Sequence, residues 1–278
     1  MMKEAEKVNE HYSTTTLRSR LETALNAAGL ESQQLTPELL APLDQFHSRG
    51  LAATVDLANA AGVSADKLVL DIGSGLGGPS RYLANKYGCR VRGVDLNEHF
   101  VDAATYLTKR AGVFDKVAYQ AANALSLPFD NGVFDIVWTQ HVAMNIGDRD
   151  AFYTEARRVL KPAGKIAIYD VIDAGLEPLH YPVPWARTAE TSFLVTAEHM
   201  RTSLERCGFV ISSWIDQTQA GVEWFRAYAA TLPKSAEGAA LSLDIVMGEE
   251  FNTMTANFAR NLMEGRIGLA QVVAEVAR

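Results

Sequence analysis

The segment Val69-Leu70-Asp71-Ile72-Gly73-Ser74-Gly75-Leu76-Gly77-Gly78 constrains this chain more than any other. Its apolar start reads as a buried strand, and the stretch Pro79 to Tyr87 behind it reads as a helix. Glycine permits the sharp turn between them and leaves bare main chain against which a ligand can lie. The unpaired N–H groups at the start of the helix then face that ligand.

The same strand–helix punctuation continues on both sides. Strands are expected at Leu68 to Ile72, Val91 to Leu96, Val117 to Gln120, Phe134 to Thr139 and Lys165 to Val171. Helices are expected at Phe100 to Ala111 and Arg149 to Leu160. Such alternation predicts an α/β fold with a mostly parallel sheet wrapped by helices. Before it, Leu17, Leu21, Leu25 and Ala28 form a helical stripe ending at Gly29. Thr36 before Pro37 is a helix start, and Ser48 to Ala61 reads as a helix closed by Gly62. Residues 1–62 are thus a helical preface or lid, and 63–278 the main domain, with insertions near 172–207 and 217–264. The second half adds a helix at Thr196 to Cys207, a strand at Phe209 to Ile215, helices within 219–264, and a last strand at Leu269 to Val276 that pairs antiparallel.

Asp95 stands twenty residues beyond Gly75 at the end of the next strand, where a carboxylate can accept from both hydroxyls of a ribose. A nucleotide-like cofactor is the natural guest. The loop alone does not separate a dinucleotide from S-adenosylmethionine. Asp71, immediately before the loop, is an acid that a dinucleotide fingerprint does not require.

Composition removes several function classes. A net charge of −7 in 278 residues, with no basic block, argues against nucleic acid as a partner. Cys89 and Cys207 make neither a disulfide framework nor a thiolate metal site, which suits a reducing cytoplasm. No run of eighteen apolar residues and no secretory leader is read, so no membrane partner is expected. Asp44 and His47 lie close in sequence, but no second cluster supports a metal, and none is expected.

Four motifs in order carry a family resemblance: residues 69–78, Gly-Val-Asp-Leu at 93–96, Leu-Pro-Phe-Asp-Asn-Gly-Val-Phe-Asp-Ile-Val at 127–137, and Arg-Val-Leu-Lys-Pro-Ala-Gly-Lys at 158–165. Together they resemble class I, Rossmann-like methyltransferases that use S-adenosylmethionine, over roughly residues 65–216. The resemblance implies a seven-stranded, mostly parallel sheet whose last strand is antiparallel. It implies Gly73, Gly75 and Gly77 on the methionine part of the cofactor, Asp95 on the ribose, Leu96 beside the adenine, and Asn123 with Ala124 at the adenine edge, where the family usually has Asp in place of Asn123. Gln140 takes the position beside the sulfonium, and Asp71 orients the turn. The segment Glu10-His11-Tyr12-Ser13 looks like the lid of the subgroup that methylates sarcosine, dimethylglycine and sugars, with Tyr12 closing over the cofactor.

Methyl transfer needs alignment above all, with a base when the acceptor is a hydroxyl or protonated amine. Some similar enzymes use a His after the fourth strand and an Asp ending the fifth; here those places hold Asn145 and Asp170. A base is then His141 or Asp170, unless the acceptor needs only positioning. Asp170 also reads as a turn former, and His141 as a satisfied buried histidine. Tyr181 and Trp185, among prolines, form either an acceptor wall or a bent loop of core aromatics, and His47 or Gln45 is expected to point into the site from above. The expected function is methyl transfer to a small-molecule N, O or S nucleophile, by a monomer or a homodimer. The alternatives are an NAD-dependent oxidoreductase and a non-catalytic S-adenosylmethionine-binding protein.

Overall fold

A computed structural model describes residues 17–175, 177–231 and 241–277. The preface is helical: α1 (Leu17–Ala27), α2 (Pro37–Asp44) and α3 (Leu51–Ala61). Thr36 caps α2 by accepting from the Leu39 amide at 3.2 Å, with Pro37 in the first turn, and Gly62 closes α3 in the left-handed conformation. α3 starts at Leu51 and not at Ser48, because Arg49 and Gly50 both adopt positive φ (65° and 49°), which breaks a right-handed helix. Ser48 is thereby released from the helix to face the interior.

The sheet then builds as β1 (Leu68–Ile72), α4 (Gly78–Tyr87), β2 (Arg90–Asp95), α5 (Glu98–Arg110), β3 (Val117–Ala121), β4 (Phe134–Gln140), α6 (Arg149–Val159) and β5 (Leu160–Asp173). After them come α7 (Ala197–Arg206), β6 (Phe209–Asp216), α8 (Thr218–Thr231), α9 (Asp244–Met247), α10 (Phe251–Met263) and β7 (Ile267–Val276). The seven strands run in the order β3-β2-β1-β4-β5-β7-β6. Strands β1 to β5 pair parallel, and β7 inserts antiparallel between β5 and β6. β5 is longer than the sequence predicts: Leu160 already pairs with Phe134, and the ladder resumes at Lys165 after Ala163 takes a positive φ of 58°.

Apolar side chains fill both faces, as a parallel sheet requires. One core gathers Trp138, Tyr169, Leu57 and Phe258, and the other gathers Val137, Phe152, Ile168 and Leu204. A third cluster, around Leu21, Leu40, Phe100 and Leu107, fastens the preface to α5. The strand order reverses between β1 and β4, so the connections leaving their carboxyl ends turn to opposite faces of the sheet and leave a crevice where open α/β sheets bind ligands.

Candidate active site at the carboxyl ends of the strands

A cavity of about 400 Å³ opens at that crevice. Its floor is the glycine loop. Gly73 and Ser74 donate to the Val94 carbonyl at 2.8 and 3.0 Å, tying the loop to β2. A Cβ on Gly73 would lie 2.3 Å from Val142, so the loop and the segment after β4 pack main chain against side chain. Gly77 has φ of 78°, and a Cβ there would strike the Tyr119 hydroxyl at 2.1 Å.

Asp95 ends β2 on the cavity edge. One carboxylate oxygen accepts from the Gly75 amide and the other from the Asn97 amide, both at 2.9 Å. Each oxygen keeps a further lone pair. Burial raises its pKa above the ordinary carboxylate value. Asp71 is buried under the loop and accepts from Ser80 at 2.6 Å; burial pushes it to about 7. Leu96, Asn123 and Ala124 line the neighbouring wall, where the Asn123 side-chain Oδ1 accepts from the Leu125 amide at 2.9 Å.

The far end of the cavity is polar and then aromatic. Gln140 accepts from Trp138 Nε1 at 2.9 Å, and Thr54 links Gln140, Gln45 and His47 at 3.2, 2.8 and 3.2 Å. Burial lowers His47 to about 4, and burial with His47 nearby lowers His141 well below the ordinary histidine value. Both rings are therefore neutral near pH 7. His141 has a positive φ of 53°, lies flat against the Tyr169 ring with centroids 5.2 Å apart, and faces Ser48.

Gly73, Gly75, Asp71, Asp95, Leu96, Asn123, Ala124, Gln140, His141, Asn145, His47 and Trp185 all line this one cavity. Gly77, Asp170 and Tyr181 do not. Gly77 sits behind the loop as the cap of α4. Asp170 lies within β5, which continues to Asp173, and faces away from the cavity to accept from the Ala143 and Val171 amides, both at 3.1 Å, beside Arg149 at 3.7 Å. Burial outweighs Arg149 and raises it to about 6. Tyr181 lies on the loop behind Trp185, whose indole donates to Ser192 at 2.9 Å. Trp185 is 2% exposed, so it serves core and cavity wall together. Tyr12 lies outside the described residues. Sequence reasoning missed Phe46, Ser48, Trp224, Phe225, Tyr228 and Phe258, all of which line the cavity. Only the spacing of Trp224 and Tyr228, one helical turn apart, could have flagged them. Among the described residues no three His, Cys, Asp or Glu side chains gather as a metal site, and no helix is long and apolar enough to cross a membrane.

Residues 70–168 match the family model for a methyltransferase domain. The chain is 33% identical over 153 residues to a sarcosine/dimethylglycine N-methyltransferase of Halorhodospira halochloris, covering 55% of each protein. It is 39% identical over 112 residues to a probable chloroplastic tocopherol O-methyltransferase of Oryza sativa subsp. japonica, covering 40% of this chain and 31% of that protein. The matches thus span about half or less of these relatives' length. A crystal structure of geranyl diphosphate C-methyltransferase from Streptomyces coelicolor A3(2), in complex with Mg2+, geranyl-S-thiolodiphosphate and S-adenosyl-L-homocysteine, superposes with a TM-score of 0.69 at 18% identity, over 98% of this chain and 97% of that one. Residues 70–168 are therefore a methyltransferase domain, carried on a seven-stranded Rossmann-like fold.

Proposed function

We propose that this chain transfers a methyl group from S-adenosylmethionine to a small-molecule acceptor. The observation that carries the reading is Asp95 at the end of β2, its carboxylate on the Gly75 amide at the mouth of the glycine loop. That arrangement suits a ribose on Asp95 and an amino-acid tail over Gly73 and Gly75, with Asp71 holding the turn through Ser80. Leu96 and Ala124 offer apolar surface to an adenine, and Asn123 an amide to its edge. The fit has support from orphaned polar atoms: Gln45 Nε2 and Gln140 Nε2, buried in residues that line the cavity, have no hydrogen-bond partner among the described residues. Buried donors are nearly always satisfied, and a bound ligand supplies what the chain does not.

When bound, the cofactor supplies an already activated methyl group. The chain's own work is alignment and exclusion of water. Gln140 and His141 lie where β4 ends beside the loop, Asn145 borders the same space, and Asp170 fixes the 141–145 segment from behind. We read residues 1–62 as the lid, since α2 and the turn at 45–48 form the roof, with Tyr12 as its closing residue, and the insertions near 172–207 and 217–264 as the acceptor side. The same proposal takes a small molecule, neither nucleic acid nor membrane, as partner, and the cytoplasm as the compartment that suits two free cysteines.

The test incubates the protein with methyl-labelled S-adenosylmethionine and a panel of small phenols, alcohols, amines and thiols. Label in a low-mass product, lost with Asp95→Ala, is the expected result. Calorimetric binding of NAD without binding of S-adenosylmethionine would overturn the reading. Light scattering on the same sample reads the homodimer expectation.

A further inference from the structure

The acceptor half of the cavity has a continuous aromatic wall. His141 meets Phe258 at 5.9 Å between centroids, Phe258 meets Trp185 at 5.3 Å and Phe225 at 5.1 Å, and Trp224 meets Phe225 at 4.9 Å and Tyr228 at 5.3 Å. All six line the cavity. The charged side chains lining it, among the described residues, are Asp44, Asp71 and Asp95, all acidic and all on the glycine-loop side.

At the inner end of the wall the His141 imidazole is held from several directions. Ser48 Oγ lies 3.4 Å from its Nε2 and 2.9 Å from the Tyr169 hydroxyl. The Tyr169 ring stacks on it at an interplanar angle of 20°, and the Tyr169 carbonyl accepts from the His141 amide at 2.8 Å. A non-glycine residue at φ of 53° persists only where its surroundings over-determine it.

Resting on the methyl-transfer reading, we infer that the acceptor is an uncharged, ring-bearing molecule that lies along this wall and presents a hydroxyl to His141, with Ser48 and Tyr169 as positioning residues. Ring faces and edges complement a ring-bearing guest. An anion there would lose its water beside aromatic carbon, and a cation would lose its water with no carboxylate in that half to pair with it, each at a cost of several kcal/mol in order of magnitude. A hydroxyl is a poor nucleophile until its proton leaves, which is the task a fixed, neutral imidazole performs. In the step, the acceptor oxygen bonds to the methyl carbon while the carbon–sulfur bond breaks and its electron pair stays on sulfur. The hydroxyl proton passes to the imidazole nitrogen that Ser48 does not engage, and later to solvent.

Three probes that share one phenol test the charge: 2-(4-hydroxyphenyl)ethanol, 4-hydroxyphenylacetate and 4-hydroxyphenethylamine. Their binding to the S-adenosylhomocysteine-loaded protein is read by quenching of tryptophan fluorescence. The uncharged probe should bind at least about tenfold more tightly than either charged one and be methylated on oxygen. Equal or tighter binding of a charged probe, or methylation on nitrogen, overturns the inference. Ser48→Ala and Tyr169→Phe should each lower kcat about tenfold or more, leave cofactor affinity unchanged and move the acid limb of the kcat–pH profile, which a purely structural role would not move. Cofactor binding with no preference among the probes defeats this inference alone; no cofactor binding defeats the methyl-transfer reading itself.

Discussion

Arg81 on α4 and Asp44 at the end of α2 meet at 2.6 Å with both side chains essentially inaccessible. The pair links the preface to the helix that the glycine loop opens. Arg81 also donates to Thr108 at 3.2 Å. Removing one partner of a buried pair strands the other charge, so Asp44→Ala should cost about 3–5 kcal/mol. The double change Asp44→Leu with Arg81→Met should recover most of that loss. Chemical denaturation of the three proteins checks it, and a double variant no more stable than Asp44→Ala contradicts it.

Gly73→Ala places a methyl group 2.3 Å from Val142 at a backbone φ of 71°. Both clash and strain act at once, and the expected loss is about 2–4 kcal/mol, with weaker cofactor binding because the loop must move. Gly75 differs, since a Cβ there meets only Phe46 at 3.7 Å. Gly75→Ala should therefore be milder in melting temperature than Gly73→Ala, and thermal melts of the two decide it.

Asp71 offers a test by pH. Its carboxyl titrates at about 7 when folded, against 3.8 for the ordinary group. The folded state therefore holds the proton more tightly than the unfolded chain. That contribution is fully present below 3.8 and is lost as pH rises through about 7. Asp71→Asn does not titrate, so its stability relative to the unaltered protein should improve between pH 5 and pH 8. A constant difference in melting temperature across that range would show that burial does not raise this group.

Asp170 touches no cavity surface but accepts the Ala143 amide and so fixes the segment that carries His141 and Asn145. Asp170→Asn should lower kcat by roughly tenfold to a hundredfold through misplacement, while cofactor affinity changes little. Steady-state kinetics beside calorimetry checks the split. A proportional loss of cofactor binding would place Asp170 in the cofactor site after all.

Much of the sheet was legible because its strands are bounded by residues with a plain physical reading: glycine after Ile72, Asp95 after Val94, Gly132 before Phe134. The caps at Thr36 and Gly62 were legible for the same reason. Ser48 was misread as helical because no local rule foretold positive φ at Arg49, a residue that seldom adopts it. The aromatic wall was hidden because Phe225 lies on α8 and Phe258 on α10, far apart in sequence. The contact of Phe225 with Phe258, and of Phe258 with His141, depends on how those helices pack, which periodicity does not encode. Asp170 reads from the sequence as a base or a turn former; its bond to the Ala143 amide was not legible, since strand alternation alone does not reveal which face the loop covers.

The central claim rests on the Asp95 carboxylate at the glycine loop, and calorimetric titration with S-adenosylmethionine tests it most directly. The unaltered protein should bind with micromolar affinity, and Asp95→Ala should bind at least about tenfold more weakly, a loss of about 1.4 kcal/mol. Equal binding by both proteins, or heat with NAD and none with S-adenosylmethionine, would contradict it.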